Sequence, residues 1–430
     1  MERLLEIARK KADRVEVFSQ AKSSDLVRFW NGKLKEVDSS ILSGVGLTVM
    51  KDGRLGTAYT RNLIDREELL RNALFALAGG VEADYALAGA AAPAALDTFD
   101  PKIESVDCEA LVEESSRLID TLAPRTEGQV NTAATRAVTT VRVLTSDGFD
   151  NTARSSSYGA HLAVSYPGSY ASIQKMTSAK SLVPFSRRDL DYVIETFDCS
   201  QKEVNPRSGP TKALFLPSCV YALVWRLIAA TDGRTIYEKV SPLRDRVGQR
   251  VISPSLTLED RPLDDAQPEA RSFDDEGALC ENRKIFDRGV LGGFYTDRYY
   301  AKKLGAEPTG NGWRGDITSR PSPGLEHLSI EPGKEPLGSL VKKMGRGVIV
   351  AGLLGAHSGN ILNGDYSIGL SPGLWVEDGE IVGRVKDSMV AGNVYEDLNR
   401  VIGVGEDLEP ASMGRFPAIL IDDVSFSTRG

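Results

Sequence analysis

Histidine is nearly absent from this chain: His161, His327 and His357 are the only three in 430 residues. No two stand at the spacing of an H-E-x-x-H pair and no Cys/His cluster has ligand spacing, which excludes a zinc site encoded by a local motif. Cysteine is also sparse. Cys108, Cys199, Cys219 and Cys280 are scattered with no C-x-x-C pair, and are expected as reduced thiols mostly in or near the core. Long apolar runs are missing: Val220 to Ala230, interrupted by Arg226, and Gly347 to Ala356 are too short to cross a bilayer. An excess of positive charge is missing too. The formal net charge of −8 argues against a sequence-independent grip on nucleic acid, and the local basic cluster Lys342, Lys343 and Arg346 does not alter that. The first residues interleave charges with Leu4, Leu5, Ile7 and Ala8, the pattern of an amphipathic helix leading into a strand and not of a signal peptide. A cytoplasmic protein without a membrane segment is expected.

What is present is an ordinary globular composition, 41% hydrophobic and 26% charged, in a chain long enough for two or three domains. Hairpin signals recur along it. Asn31-Gly32 separates Leu26 to Trp30 from Lys33 to Val37, Asp52-Gly53 separates Gly46 to Met50 from Arg54 to Tyr59, and Asp378-Gly379 joins Leu374 to Val376 with Ile381 to Val385. Asp147-Gly148 and Gly289 punctuate further strand-like runs. Between these lie helices without regular β-α-β alternation: Arg66 to Ala78 after Asp65, Glu109 to Leu122 after Asp107, and Asp189 to Asp198. The class is α+β, with antiparallel-rich mixed sheets and interspersed helices. The polar stretch Gln201 to Thr211, with Asn205-Pro206 and Gly209-Pro210, marks the main boundary, giving an N-terminal α+β domain over 1–204 and a β-rich C-terminal domain over 205–430. The alanine-rich Ala86 to Ala95 reads as a surface linker or a loose helix end between two lobes of the N-terminal half, with the break near 86–100. After the boundary, Ala213 to Leu216 reads as a buried strand and Val220 to Ala230 as a core helix starting near Pro217.

The densest segment is GAHSGNILNGDYSIGLSPGLWVEDGEIVGRVKDSMVAGNVYEDL, Gly355 to Leu398, where small residues let backbone approach a ligand or partner closely. The run Gly352 to Gly359 has neither the lysine of a Walker loop nor G-x-G-x-x-G spacing, so it reads as a structural turn near an interface. A Ser/His/Asp set can be written from His357, Ser358 or Ser367, and Asp365, but no G-x-S-x-G elbow supports it. His161 and His327 lie in strand-like runs and read as structural. The acidic triplet Asp274-Asp275-Glu276 before Gly277 reads as a solvated turn in preference to a cation site.

Taken in order, FDDEG (Phe273 to Gly277), GVLGGFYTDRYYAKKLGAEPTGN (Gly289 to Asn311), LSIEPG (Leu328 to Gly333), GAHSGN (Gly355 to Asn360), GDYSIG (Gly364 to Gly369), DGEIVG (Asp378 to Gly383) and AGN (Ala391 to Asn393) resemble the TldD/PmbA family, once called modulators of DNA gyrase. The resemblance covers essentially the whole C-terminal half, and more loosely the hairpin SGVGLTVMKDGRLGTAYT (Ser43 to Thr60). It implies two domains of the TldD/PmbA type. In the TldD branch a helix near the start of the C-terminal domain carries H-E-x-x-x-H, and a cysteine near the end adds a zinc ligand. Here the corresponding helix is SCVYALVWRLIAAT (Ser218 to Thr231), with Trp225, Arg226 and Ala230 where the metal motif would fall, and SMGRFPAILIDDVSF (Ser412 to Phe426) has no cysteine.

The chain thus resembles the PmbA, or TldE, branch. That resemblance implies a subunit with no metal and no catalytic residue of its own, paired with a TldD-like zinc-bearing chain in a peptidase acting on peptides or unfolded proteins. A homodimeric peptide-binding or scaffold protein, or a stand-alone hydrolase, are the other readings. His357, Ser358, Asn360 and Asp365 are the expected substrate- or partner-positioning residues. Direct contact with nucleic acid is not expected, and a link to gyrase can be tied to no residue.

Overall fold

The computed structural model describes residues 1–268 and 270–429. It is an α+β structure with antiparallel-rich sheets, as the pattern of hairpin signals and isolated helices requires. The first half builds one six-stranded sheet in the order β3-β2-β1-β4-β5-β6. Its strands are β1 (Arg14–Trp30), β2 (Lys33–Lys51), β3 (Arg54–Thr60), β4 (Gln129–Thr145), β5 (Asp150–Ser165) and β6 (Ser172–Ala179). The turn chemistry is local. Asn31 (φ 49°) and Gly32 (φ 68°) both adopt positive φ, as do Asp52 (φ 52°) and Gly53 (φ 71°), the requirement of a two-residue turn whose twist matches its strands. Both strands of the first hairpin run much further than their sequence pattern indicates, because β1 keeps pairing with β2 on one side and β4 on the other.

Four helices accompany this sheet: α1 (Glu2–Ala8), α2 (Arg66–Ala76), α3 (Cys108–Leu122) and α4 (Arg187–Cys199). Asp65 and Asp107 cap α2 and α3, accepting from the main-chain N–H of Glu68 and Ala110. The third expected helix starts two residues earlier than Asp189. Ser186 accepts from the N–H of Asp189, whose carboxylate accepts from Ser186 in return, and this reciprocal cap moves the start to Arg187. Residues 80–100 carry no helix or extended strand, yet Leu87 and Ala88 are buried and the Ala88 carbonyl accepts from Thr145 Oγ1 at 2.6 Å, so the alanine-rich segment is strapped to the sheet.

The second half centres on a ten-stranded sheet. From one edge it runs through Leu353–Leu354, Asp365–Leu370, Ser388–Asn393, Ile419–Thr428, β8 (Gly209–Phe215), Gly347–Val350, Gly373–Glu377, Glu380–Val385 and β7 (Glu203–Val204), while Val401–Val404 pairs with Ile419–Thr428. The edge strand Glu203–Val204 lies in the polar stretch between the halves and pairs with Arg384 and Val385. A smaller six-stranded sheet includes Leu258–Asp260, Arg283–Asp287 and Leu328–Ile330. Between the sheets lies α5 (Pro217–Thr231), apolar almost all round, as expected of a core helix. The two halves share apolar packing. Val27, Leu118, Val193 and Phe197 belong to the same buried cluster as Leu214 and Leu420 of the ten-stranded sheet. Among the described residues no helix is long and apolar enough to cross a membrane.

A second seam joins the halves through charge, and here one expectation fails. Asp274, Asp275 and Glu276 are buried, where a solvated turn was expected. The reason is non-local. Asp274 accepts from the N–H groups of Glu276, Ala278 and Gly312, Asp275 from Arg271 and the N–H of Arg314, and Glu276 from the N–H of Arg298, so the carboxylates cap main-chain donors, three of them from distant stretches of chain. Gly277 (φ 74°) presses on the first half, where an added Cβ would stand 2.8 Å from the Phe149 ring. Beside it Glu16 of β1 meets Arg314 at 2.6 Å, both buried, with the guanidinium over Phe18. Glu16, Glu276, Asp297 and Tyr85 line a cavity of about 20 Å³ in this seam.

Burial pushes the carboxyls of Asp274 up to about 6 and Asp297 up to about 7, and raises Glu276 well above its ordinary value, with the Asp274 charge adding to it. The folded chain therefore binds more protons than the unfolded chain between the unfolded carboxylate range near pH 4 and about pH 7. Stability from Asp274 and Asp297 is complete below that window and is lost as pH rises through it. Thermal unfolding followed from pH 5 to pH 8 is expected to show a falling melting temperature. Asp297→Asn, which keeps an acceptor for the Tyr300 N–H, is expected to flatten that slope; an unchanged slope rules out Asp297 as a contributor.

Candidate functional site

Helix α5 follows β8 with a proline in its first turn, where the missing N–H costs nothing. Arg226 is its only charged residue, and it is completely buried. Its guanidinium meets carbonyl oxygens alone: Nε donates to Asp365 O at 2.8 Å, Nη2 to Ser358 O at 2.7 Å, and Nη1 to Ala356 O at 3.1 Å and to Ala222 O, one turn back, at 2.5 Å. Among the described residues no carboxylate lies within ion-pair distance of it. The Tyr366 ring stands 5.8 Å from the guanidinium carbon, and Tyr366 donates its hydroxyl to the buried carboxylate of Asp397, which pairs with Arg400. Burial draws the Arg226 pKa down, opposed by the nearby Asp365 carboxylate. A guanidinium nonetheless stays protonated in proteins.

Of the carbonyls that Arg226 holds, Ala222 O is on α5 itself, Asp365 O opens strand Asp365–Leu370, and Ala356 O and Ser358 O belong to the connection between that strand and its partner, edge strand Leu353–Leu354. This is the glycine-rich loop singled out in the sequence. Gly355 (φ 68°) opens it, and Ser358 N–H closes a turn onto Gly355 O at 2.8 Å. Gly359 (φ 104°) is required by close approach, since an added Cβ would stand 2.4 Å from Asp365 O. The Asp365 N–H then donates to Asn360 O, and the Asn363 N–H to Asn360 Oδ1. From the far end Asn393 Nδ2 donates to both Asp365 Oδ1 and Asn363 O at 2.8 Å, while Asn393 Oδ1 caps helix Val394–Asp397 through the Tyr395 N–H.

His357, Ser358, Asn360 and Asp365 therefore come together on one loop. His357, Asn360 and Asp365 are exposed and Ser358 is half-buried. Among the described residues no hydrogen bond joins His357 to Ser358, Ser367 or Asp365, so the Ser/His/Asp set is not assembled; the Asp365 carboxylate is engaged by Asn393 instead. Of the residues standing where a metal motif would fall, Trp225 packs half-buried against the core and Ala230 is fully buried, its carbonyl accepting from Ser241 Oγ. Among the described residues no group of three or more His, Cys, Asp and Glu side chains is placed to hold a metal ion. Of the cysteines, Cys219 and Cys280 are buried, Cys108 is intermediate and Cys199 is exposed. His161 bonds Gln174 at 2.9 Å across β5 and β6, and His327 is buried.

Sequence reasoning placed Arg226 on the right helix without assigning it work, and it missed Asn393 as the partner of Asp365. One signal for the first was available: a lone arginine in a helix apolar on every face needs acceptors from elsewhere in the chain.

The PmbA/TldA metallopeptidase C-terminal domain family matches residues 208–428, and the PmbA/TldA metallopeptidase domain 1 family matches residues 15–78. A metalloprotease PmbA homolog of Haemophilus influenzae is 30% identical over 237 residues, 54% of this chain and 50% of that protein. The chain thus spans about half the length of the curated relatives it matches in this way. Among solved structures, TldE from Thermococcus kodakarensis superposes with a TM-score of 0.92 at 22% identity, covering 99% of each chain. A Thermotoga maritima protein described as a modulator of a DNA gyrase gives a TM-score of 0.87 at 24% identity, again over 99% of each chain. The fold is common to these two solved structures, and by the match across its C-terminal half and first domain this chain belongs to the PmbA/TldD metallopeptidase family.

Proposed function

We propose that this chain is a cytoplasmic PmbA/TldE-type subunit that carries no zinc of its own and works with a TldD-type, zinc-bearing chain on peptides or unfolded proteins. The observation that carries this reading is Arg226. Its guanidinium fills the ground beneath the loop, on the helix where the TldD branch is expected to carry its metal motif. It has no lone pair to offer a metal, and its charge opposes a dication in a low-dielectric interior. Trp225, Arg226 and Ala230 do not fit a zinc ion, and no step of hydrolysis is assigned to this chain.

Its contribution is then geometric. The loop held by Arg226 offers His357, Asn360 and Asp365 to the outside with their main chain pinned from below, which suits positioning of a substrate or partner. Edge strand Leu353–Leu354 lies next to that loop and Leu354 is exposed. Such an edge can take an extended peptide through main-chain hydrogen bonds that do not depend on substrate sequence. The C-terminal half would form the partner interface and help wall a passage for unfolded chain.

Mixing the purified chain with a TldD-type chain is expected to give a complex that hydrolyses peptides; failure of the two to associate removes the subunit reading. His357→Ala is expected to lower peptide turnover by the pair roughly tenfold or more and to leave its zinc content unchanged. Loss of zinc would instead mean direct ligation across the interface. Arg226→Met leaves the carbonyls of Ala356, Ser358 and Asp365 without their donor and is expected to cost about 2–4 kcal/mol. Hydrogen exchange should then quicken in residues 355–366 while β1 to β6 stay protected. Uniform loss of protection would show that Arg226 supports the whole core and not this loop in particular.

A further inference from the structure

Two openings in the seam between the halves are divided by a pair of tyrosines. The inner chamber, about 20 Å³, is walled by Glu16, Glu276 and Asp297, each no more than 3% exposed. The outer cleft, about 490 Å³, runs between the Asp52-Gly53 turn and helix Arg298–Leu304, and is lined by Arg54, Glu82, Lys302 and Lys303. Tyr85 and Tyr299 line both, so their rings form the partition. Tyr85 belongs to the strap Gly80 to Ala88, which is lightly anchored at this point. The Ala83 N–H donates to Gly53 O at 2.9 Å and the Leu87 N–H to Asp147 Oδ2 at 3.1 Å. Ala83 and Leu87 pack with Met50 and Leu55 in a small cluster apart from the main cores. From the second half, among the described residues, one hydrogen bond reaches the strap, Arg298 Nη1 to Ala86 O at 3.3 Å, and the Tyr85 hydroxyl has no hydrogen-bond partner.

We infer that the strap is a pH-operated gate: ionisation of Glu276 admits water to the chamber, lifts Tyr85 out of the partition and joins the chamber to the outer cleft. The charges around Glu276 set the direction. Glu16 faces it from β1, Asp274 from its own turn and Asp297 from the start of helix Arg298–Leu304. The nearby cations are occupied elsewhere. Arg314 pairs with Glu16 and Arg271 with Asp275. Arg298 gives its main-chain N–H to Glu276 but turns its guanidinium to Ala86, and the exposed Arg320 holds its guanidinium 5.8 Å from the Tyr299 ring. Among the described residues no ion pair involves Asp274, Glu276 or Asp297. Burial and the Asp274 charge raise the Glu276 carboxyl well above its ordinary value, so the closed chamber favours its protonated form. Once ionised, Glu276 meets two further carboxylates in a space for about one water, and one phenol hydroxyl does not replace the hydration they lose. Water can enter by displacing the strap more readily than the paired strands β1 to β3. The closed state thus binds the proton more tightly than the open one, and rising pH favours opening. The gate lies apart from α5 and its loop and does not rest on the proposed subunit role.

The test is hydrogen exchange on the full chain, with rates corrected for the intrinsic effect of pH. From about pH 6 to about pH 9, protection of the Ala83 and Leu87 N–H groups is expected to fall roughly tenfold or more. At the upper pH their exchange is expected to be indifferent to low urea, the mark of an opening that exposes little surface, whereas exchange in β4 and β5 quickens with urea. Glu276→Gln keeps an acceptor for the Arg298 N–H and cannot ionise, and is expected to abolish the fall in the strap. Should that variant fail to fold, chymotrypsin cleavage of the wild-type chain after Tyr85, measured at each pH against a peptide of the same sequence, is expected to quicken by the same factor. Strap protection that does not change with pH, urea dependence in the strap equal to that of β4 and β5, a fall that persists in Glu276→Gln, or cleavage after Tyr85 that does not quicken each overturns the inference.

Discussion

A fully buried guanidinium that meets only carbonyl oxygens among the described residues holds the second half of this structure to a single geometry around the loop. Removing Arg226 from water carries a desolvation cost that only a complete set of acceptors offsets. Those acceptors come from three places: the preceding turn of α5, the glycine-rich loop, and the first residue of the strand that follows it. None of the three can shift without leaving a charged donor unsatisfied. The loop is glycine-rich for the same reason, since a carbonyl cluster around one side chain demands main-chain approaches, as at Gly359, that a Cβ would block. Beneath the clamp, the hydrogen bond from Tyr366 to Asp397 and the Asp397–Arg400 pair tie the strand to helix Val394–Asp397, extending the constraint into the core.

The two halves are coupled by two physically different seams. One is apolar and continuous, with side chains from β1, α3 and α4 packed in one cluster with the face of the ten-stranded sheet that includes Leu214, Leu374 and Leu420. The other is ionic and acid-rich, built on the Glu16–Arg314 pair and the carboxylates of Asp274, Glu276 and Asp297. The first is indifferent to pH and weakens on cooling; the second responds to protonation and is screened little by salt because it is buried. The strap at Leu87 and Ala88 and the glycine at 277 meet at Phe149, where the acidic turn reaches the first sheet.

How far the fold was legible depends on the range of the interaction that decides each feature. The Asn31-Gly32 and Asp52-Gly53 turns and the Asp65 and Asp107 caps are settled within four residues of chain, and pattern reading found them. The length of β1 and β2 is settled by pairing partners, and in Lys33 to Gly44 both faces of β2 are largely exposed, so no alternation of apolar and polar residues survives to announce a strand. The acidic triplet misled because three of its donors, the N–H groups of Gly312, Arg314 and Arg298, lie more than twenty residues away. At the candidate site the loop was legible by composition, but the contact that shapes it was not. Arg226 stands some 130 residues before the carbonyls of Ala356 and Ser358, and nothing near either end records the other.

Arg226 also bears on what a site of this kind can be. A helix and a loop that face each other across a small buried gap can be bridged by a metal with ligands from the helix, or by a cation that takes its ligands from the loop. The two solutions exclude each other at one position, because each requires the gap to be filled by its own positive charge. With the guanidinium chosen, the carbonyls turn inward and the loop's side chains are left to face outward, which is how His357, Asn360 and Asp365 come to be exposed. On the reading proposed above, the outward face is the useful one. A chain that supplies its own positive charge beneath the loop has a preformed surface above it, and any metal acting there has to be delivered by whatever binds that surface.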